Sequence, residues 1–188
     1  MINMRILNPL IVYLLLITSY LADAGELATP NNLGGDFRFA STLGEPIAIK
    51  QLRDKIVLLN FGFTSCPDVC PMVLSELARL QQALDNEATK LQVVFVTVDP
   101  KRDSLQKLKQ YLAHFHSSFI GMRDDNLDAI TAVMKRYGGA LVSDQSGEEV
   151  AISHSDYVYM INRDGHVSGF YDIASKYDEL VAAVNKAL

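Results

Sequence analysis

The chain of 188 residues holds two cysteines, Cys66 and Cys70, four apart in Cys66-Pro67-Asp68-Val69-Cys70-Pro71. Sulfurs at that spacing can cycle between dithiol and disulfide, or share a soft cation. A thiol-disulfide exchanger of the ordinary thioredoxin kind uses Cys-x-x-Cys, with a proline facing it before a core strand. Here the loop is one residue longer and no proline follows Pro100. The segment expected to face the cysteines reads Ala151-Ile152-Ser153-His154-Ser155-Asp156, with His154 where that proline would stand. Cys66, Cys70 and His154 offer two thiolates and one imidazole, a ligand set suited to copper, because thiolate favours Cu(I) and the nitrogen tolerates Cu(II). Zinc accepts the same ligands, but a structural zinc takes four and three are evident. The bland alternatives are an inert disulfide and a satisfied histidine in a polar loop.

The pair is delivered by a strand and received by a helix. Ile56 to Phe63 is an apolar run of the kind a buried central strand shows, and from Pro71 onward Val73, Leu74, Leu77, Leu80 and Leu84 recur at helical spacing. If Pro71 takes the first helical position, Cys70 is the N-cap and Cys66 lies just before it. Both sulfurs then sit at the positive end of a helix dipole, where thiol pKa values fall. In an open α/β sheet the loop after a strand is also where ligands bind.

The remaining elements follow from period and punctuation. Phe37-Arg38-Phe39 and Pro46-Ile47-Ala48-Ile49 flank a glycine turn at Gly44 and predict a short hairpin. Gln92 to Val98 predicts a second strand covered on both faces, ended by Asp99-Pro100. Asp103 or Ser104 caps a helix through Leu105, Leu108, Tyr111 and Leu112. Phe119 to Met122 is extended, Asp124-Asp125-Asn126 caps a helix that stops at Tyr137-Gly138-Gly139, and Ser143 to Glu149 reads as a loop. Tyr157 to Ile161 and His166 to Tyr171 form a hairpin about Asp164-Gly165, and Ser175 to Leu188 is a closing amphipathic helix. This element order predicts a thioredoxin-like α/β sandwich: a central mixed sheet flanked by helices, with an N-terminal β-hairpin.

A net charge of −5, with lysines and arginines scattered, excludes the basic footprint of a nucleic-acid partner. A chain of this length builds a core without cross-links, so the cysteines are not needed as staples. Residues 1–24 carry one early charge at Arg5, an apolar run from Leu10 to Leu21 and the small-residue pattern Ala22-Asp23-Ala24. They read as a signal peptide or an uncleaved N-terminal anchor. Residues 25–33 then form a linker and 34–188 the folded domain. The expected location is exported and periplasmic, soluble or held at the inner membrane through that segment.

Three blocks together carry a family resemblance: Phe61-Gly62-Phe63-Thr64-Ser65-Cys66-Pro67-Asp68-Val69-Cys70-Pro71, Val98-Asp99-Pro100-Lys101-Arg102-Asp103, and His154 with Tyr157 to Gly165. From about Gly34 to the C-terminus the sequence resembles the Sco/SenC family of copper-binding thioredoxin-like proteins. The resemblance implies one copper ion on Cys66, Cys70 and His154. It also implies a role in assembling the dinuclear copper site of cytochrome c oxidase, with that enzyme's copper-accepting subunit and other copper chaperones as partners. Many members carry aspartate immediately before the histidine, and here that position is Ser153; Asp156 is the other carboxylate at hand to orient the imidazole.

Two functions use these residues. A metallochaperone would pass copper by ligand exchange, whereas a thiol-disulfide oxidoreductase would attack through Cys66, resolve through Cys70 and reduce the cysteines of the copper-accepting partner. A peroxidase has no specific motif in its favour. Asp99, Lys101, Arg102 and Asp103 stand where they could guide a partner, although capping and solvation explain them as well. Met72 reads as packing before it reads as an axial ligand. His114 and His116 diverge at a helix end, and His166 reads as a surface residue after a turn.

Overall fold

The computed structural model describes residues 33–144 and 151–188. The predicted signal or anchor at 1–24 and nearly all of the 25–33 linker lie outside the described residues. Among those described, no helix is long and apolar enough to cross a membrane.

Two parallel strands build the centre. β3 (Ile56–Gly62) and β4 (Leu91–Thr97) are buried at every position and pair from Ile56↔Leu91 to Gly62↔Thr97. Their near-continuous apolar sequence is what a strand covered on both faces requires. Successive side chains point to opposite faces, so each strand feeds two cores. Val57, Leu59, Phe61, Val94 and Val96 meet Ile130, Val133, Met134 and Tyr137 of the α3 region (α3, Leu127–Arg136) on one side. Ile56, Leu58, Val93 and Phe95 meet α1 (Val69–Ala83), α2 (Leu105–Ala113) and α4 (Ile173–Ala187) on the other.

Seven strands complete the sheet in the order β2-β1-β5-β4-β3-β8-β9. β5 (Ile120–Arg123) continues the parallel set. The predicted N-terminal hairpin is present as β1 (Arg38–Ser41) and β2 (Ile47–Ala48), in the register Arg38↔Ala48 and Phe39↔Ile47. At the other edge β8 (Val158–Ile161) runs antiparallel to β3, and the edge strand β9 (Val167–Tyr171) runs antiparallel to β8. Their turn places Gly165 at φ +88°, a conformation that suits glycine. The mixed, helix-flanked sheet is the predicted α/β sandwich.

Three local expectations are corrected. The predicted loop from Ser143 begins instead inside β6 (Leu141–Asp144), which pairs with β7 (Ala151–His154) as a separate two-stranded ribbon. Its ladder, Leu141↔His154 to Asp144↔Ala151, supplies strand order that the short segments do not advertise by alternation. Of the two cap candidates Ser104 alone caps α2, its hydroxyl accepting from the Lys107 N–H at 3.1 Å. The last helix starts at Ile173, not Ser175, because Asp172 accepts from the Ala174 N–H and caps it.

Candidate metal centre

The cysteine loop opens at the carboxyl end of β3 and turns at once, with the Cys66 N–H donating to the Phe63 carbonyl at 3.2 Å. α1 then begins at Val69 with Asp68 as its N-cap residue. Cys70 is therefore inside the first turn and Pro71 follows it, which corrects the expectation that Cys70 is the cap and Pro71 the first helical residue. Proline is tolerated here because N–H groups of the first turn have no intrahelical acceptor, and residue i−4, Pro67, lies outside the helix where its carbonyl escapes the usual ring clash. Asp68 makes no side-chain cap. Cys66 takes the place of one: the Cys70 N–H donates to Cys66 Sγ at 3.4 Å.

Winding Cys70 into the helix buries it, at 2% exposed, while Cys66 stays partly accessible. Both are free thiols. The expectation that the helix end lowers both thiol pKa values fails for Cys70. Burial, then the hydrogen bond with Cys66, push its thiol up to about 12, against a smaller lowering from the Phe63 backbone. Desolvation outweighs the dipole because the sulfur points into the core, away from the exposed end of the helix.

The pocket holding that sulfur depends on Gly62, to which the sequence reading gave no role. A Cβ on Gly62 would lie 2.8 Å from Cys70 Sγ and 2.7 Å from the Phe95 ring, so glycine makes the room. An isolated glycine inside a strand pattern is the signal that could have found it. Asp103 is fully buried and ties the loop to β4: one oxygen accepts from the Thr64 N–H at 2.9 Å and the Thr97 hydroxyl at 2.7 Å, the other from the Thr64 hydroxyl and Lys107 Nζ. Asp99 is 5% exposed and is engaged by Arg102. Asp103 thus braces the cysteine loop from inside while Asp99 is held by Arg102, so neither buried carboxylate stands as a partner-guiding surface charge, one of the two readings that their sequence allows.

His154 ends β7 and comes to the cysteine loop through Phe63, whose ring meets the imidazole edge-on at 5.9 Å. Asn60, buried in β3, donates to the Tyr157 carbonyl at 3.2 Å and holds the segment after His154 against the same strand. His154 Nδ1 lies 2.9 Å from the Ser155 carbonyl oxygen. A carbonyl can only accept, so Nδ1 carries the proton and Nε2 keeps its lone pair for a metal. Ser155 is itself clamped, its N–H donating to the Ala140 carbonyl and its hydroxyl accepting from the Ala140 N–H, each at 3.0 Å. A backbone carbonyl thus does what the sequence reading sought from Asp156. Asp156 is near enough for its charge to bear on Cys70.

The donors are matched in kind but stand apart. Among the described residues no three His, Cys, Asp or Glu side chains are close enough to hold one ion. The other candidates stay outside this group. Met72, expected to pack, is 37% exposed on α1. His114 Nδ1 faces the Gln110 carbonyl at 2.7 Å and His116 Nδ1 the Ser118 hydroxyl at 2.8 Å, so each has its own local partner. His166 is exposed between β8 and β9.

Comparison with known proteins places this geometry. A SCO1/SenC family profile matches residues 25–188. The "SCO2-like protein" of Rickettsia felis is 34% identical over 142 residues, covering 74% of this chain and 69% of that protein. A protein of Stutzerimonas stutzeri described as copper-binding is 36% identical over 138 residues, covering 72% of this chain and 67% of its own length. Among solved structures, copper-bound ScoI of Bradyrhizobium japonicum superposes with a TM-score of 0.73 at 28% identity, over 83% of this chain and 99% of that one. With a profile match across the whole described fold, the chain belongs to the SCO1/SenC family.

Proposed function

We propose that this chain is a copper metallochaperone that holds one copper ion through Cys66, Cys70 and His154 and passes it by ligand exchange to the copper-accepting subunit of cytochrome c oxidase, during assembly of the dinuclear copper site. The observation that carries the reading is the pairing of two free sulfurs, linked through the Cys70 N–H, with an imidazole whose Nε2 is left free by the Nδ1 contact to Ser155. Two thiolates and a neutral imidazole suit copper in both common oxidation states. The copper-bound relative of like fold and the copper-binding relative support it.

The chain's own part is to present donors that a partner can take over. Cys66 is the accessible sulfur and the natural point of exchange, whereas Cys70 is anchored beneath Gly62 and Phe95. The ligand set closes when the imidazole, which meets Phe63 edge-on at 5.9 Å, approaches the sulfurs. A donor set completed only on loading favours release as well as capture.

A second reading uses the same sulfurs as a reductant of the partner's cysteines. The partly exposed Cys66 beside a helix N-terminus favours it, since that sulfur can attack while Cys70 lies in contact to resolve. Copper and zinc titrated in competition into the reduced protein, with Cys66→Ser and His154→Ala beside it, separate the readings. Chaperoning predicts one copper per chain, lost or weakened in both variants. Pure thiol exchange predicts activity that survives His154→Ala and no selective copper site. The exported, periplasmic location, free or anchored through the N-terminal segment, belongs to this proposal.

A further inference from the structure

The end of β3 divides the donors between two sides of the sheet. Successive residues of an extended chain face opposite ways. The Cβ position of Gly62 looks onto Phe95 and Cys70 Sγ, in the core shared with α1. Phe63, the next residue, packs instead against the core shared with α3, as Tyr157 does. The His154 imidazole meets the Phe63 ring at 5.9 Å, with an interplanar angle of 78°.

Phe63 thus touches both halves of the site. Its carbonyl accepts from the Cys66 N–H at 3.2 Å and fixes the turn that carries the sulfurs, while its ring seats the third donor. An edge-on aromatic pair at this separation is favourable beyond the area it buries. With the imidazole seated there, the three donors do not converge on one point. The Ser155 carbonyl and the Ala140 clamp hold the backbone around His154 whatever side chain stands at position 63. Removing the Phe63 ring therefore releases the imidazole and not the strand that carries it.

We propose that Phe63 is a positioning residue that seats His154 away from the sulfurs, so that the imidazole is the last donor to join copper and the first to leave it. On release the bond to Nε2 breaks with its electron pair kept by the nitrogen, and the ring returns to Phe63. The ion stays on the two sulfurs, where a partner's donor takes up the vacated position without any change of oxidation state. The inference rests on the chaperone reading of Cys66, Cys70 and His154.

The test follows Cu(I) release from the full chain to a chelator. Phe63→Leu keeps an apolar side chain against the core and should release roughly twofold to tenfold more slowly than wild type, because the imidazole has lost its alternative seat. Phe63→Tyr keeps the ring and should release at the wild-type rate. In a His154→Ala background, Phe63→Leu should change nothing. A nuclear Overhauser signal between the protons of the two rings in the metal-free wild type should vanish on loading with Cu(I), a readout that needs no substitution. Equal or faster release from Phe63→Leu, or a ring-to-ring signal that survives loading, overturns the inference while the copper site stands. Identical release from wild type and His154→Ala removes His154 from the ligand set, and the chaperone reading and the inference then fall together.

Discussion

The Cys70 N–H reaches back to Cys66 Sγ across 3.4 Å, so one cysteine caps the helix that contains the other. The bond fixes the spacing of the two sulfurs through the backbone. It also divides their roles, leaving Cys66 at the surface of the loop and Cys70 inside.

That division predicts unequal reactivity. In the reduced, metal-free protein, Cys66 should alkylate with iodoacetamide at least tenfold faster than Cys70, because Cys70 is both buried and held as thiol. Peptide mass spectrometry after timed quenching reads this directly, and equal rates would contradict it.

The raised Cys70 pKa carries a pH signature. The unfolded thiol releases its proton near the ordinary value of 9.0 and the folded one near 12, so above pH 9 the native state binds more protons and stability falls as pH rises. The slope approaches about 1.4 kcal/mol per pH unit within that window. Buried Tyr159, pushed up to about 12, adds a loss of the same sign that begins near pH 10. Urea unfolding at pH 9 to 10, compared between wild type and Cys70→Ala, isolates the cysteine part, which should vanish in the variant.

Asp103→Ala should destabilise the fold by about 3 kcal/mol, since it strands donors from Thr64, Thr97 and Lys107 around a buried space. Because Thr64 belongs to the cysteine loop, the variant should also weaken copper binding, which denaturant titration and metal competition would register together. A surface role for Asp103 would leave the unfolding midpoint where it is.

Gly62→Ala places a methyl against Phe95 and Cys70 Sγ, and overpacking of this kind costs about 1–3 kcal/mol. The backbone at Gly62 is ordinary for any residue, so the cost arises from crowding alone. Phe95→Leu in the same chain should restore part of the lost stability, and a double-mutant cycle measures the coupling.

What was legible in the sequence follows from which forces write themselves locally. β3 and β4 announce themselves because a strand buried on both faces must be apolar throughout, and Cys66, Cys70 and His154 stand out as candidate ligands because few other residues bind soft metals. Asp103 looks locally like any cap, because the Thr64 that helps to bury it lies 39 residues away in sequence. Cys70 was placed one step outside its helix because Pro71 is compatible with several first-turn positions. The β6–β7 ribbon was missed because its order comes from pairing and from the Ala140–Ser155 clamp, not from alternation. Ser153 leaves no carboxylate immediately before His154, and the Ser155 carbonyl on His154 Nδ1 holds the ring instead.

X-ray absorption at the copper edge of the one-to-one complex tests the central claim most directly. A copper shell of two sulfurs and one imidazole nitrogen is expected, with the imidazole scattering lost in His154→Ala and one sulfur lost in Cys66→Ser. A shell without sulfur, or one unchanged in both variants, would contradict it.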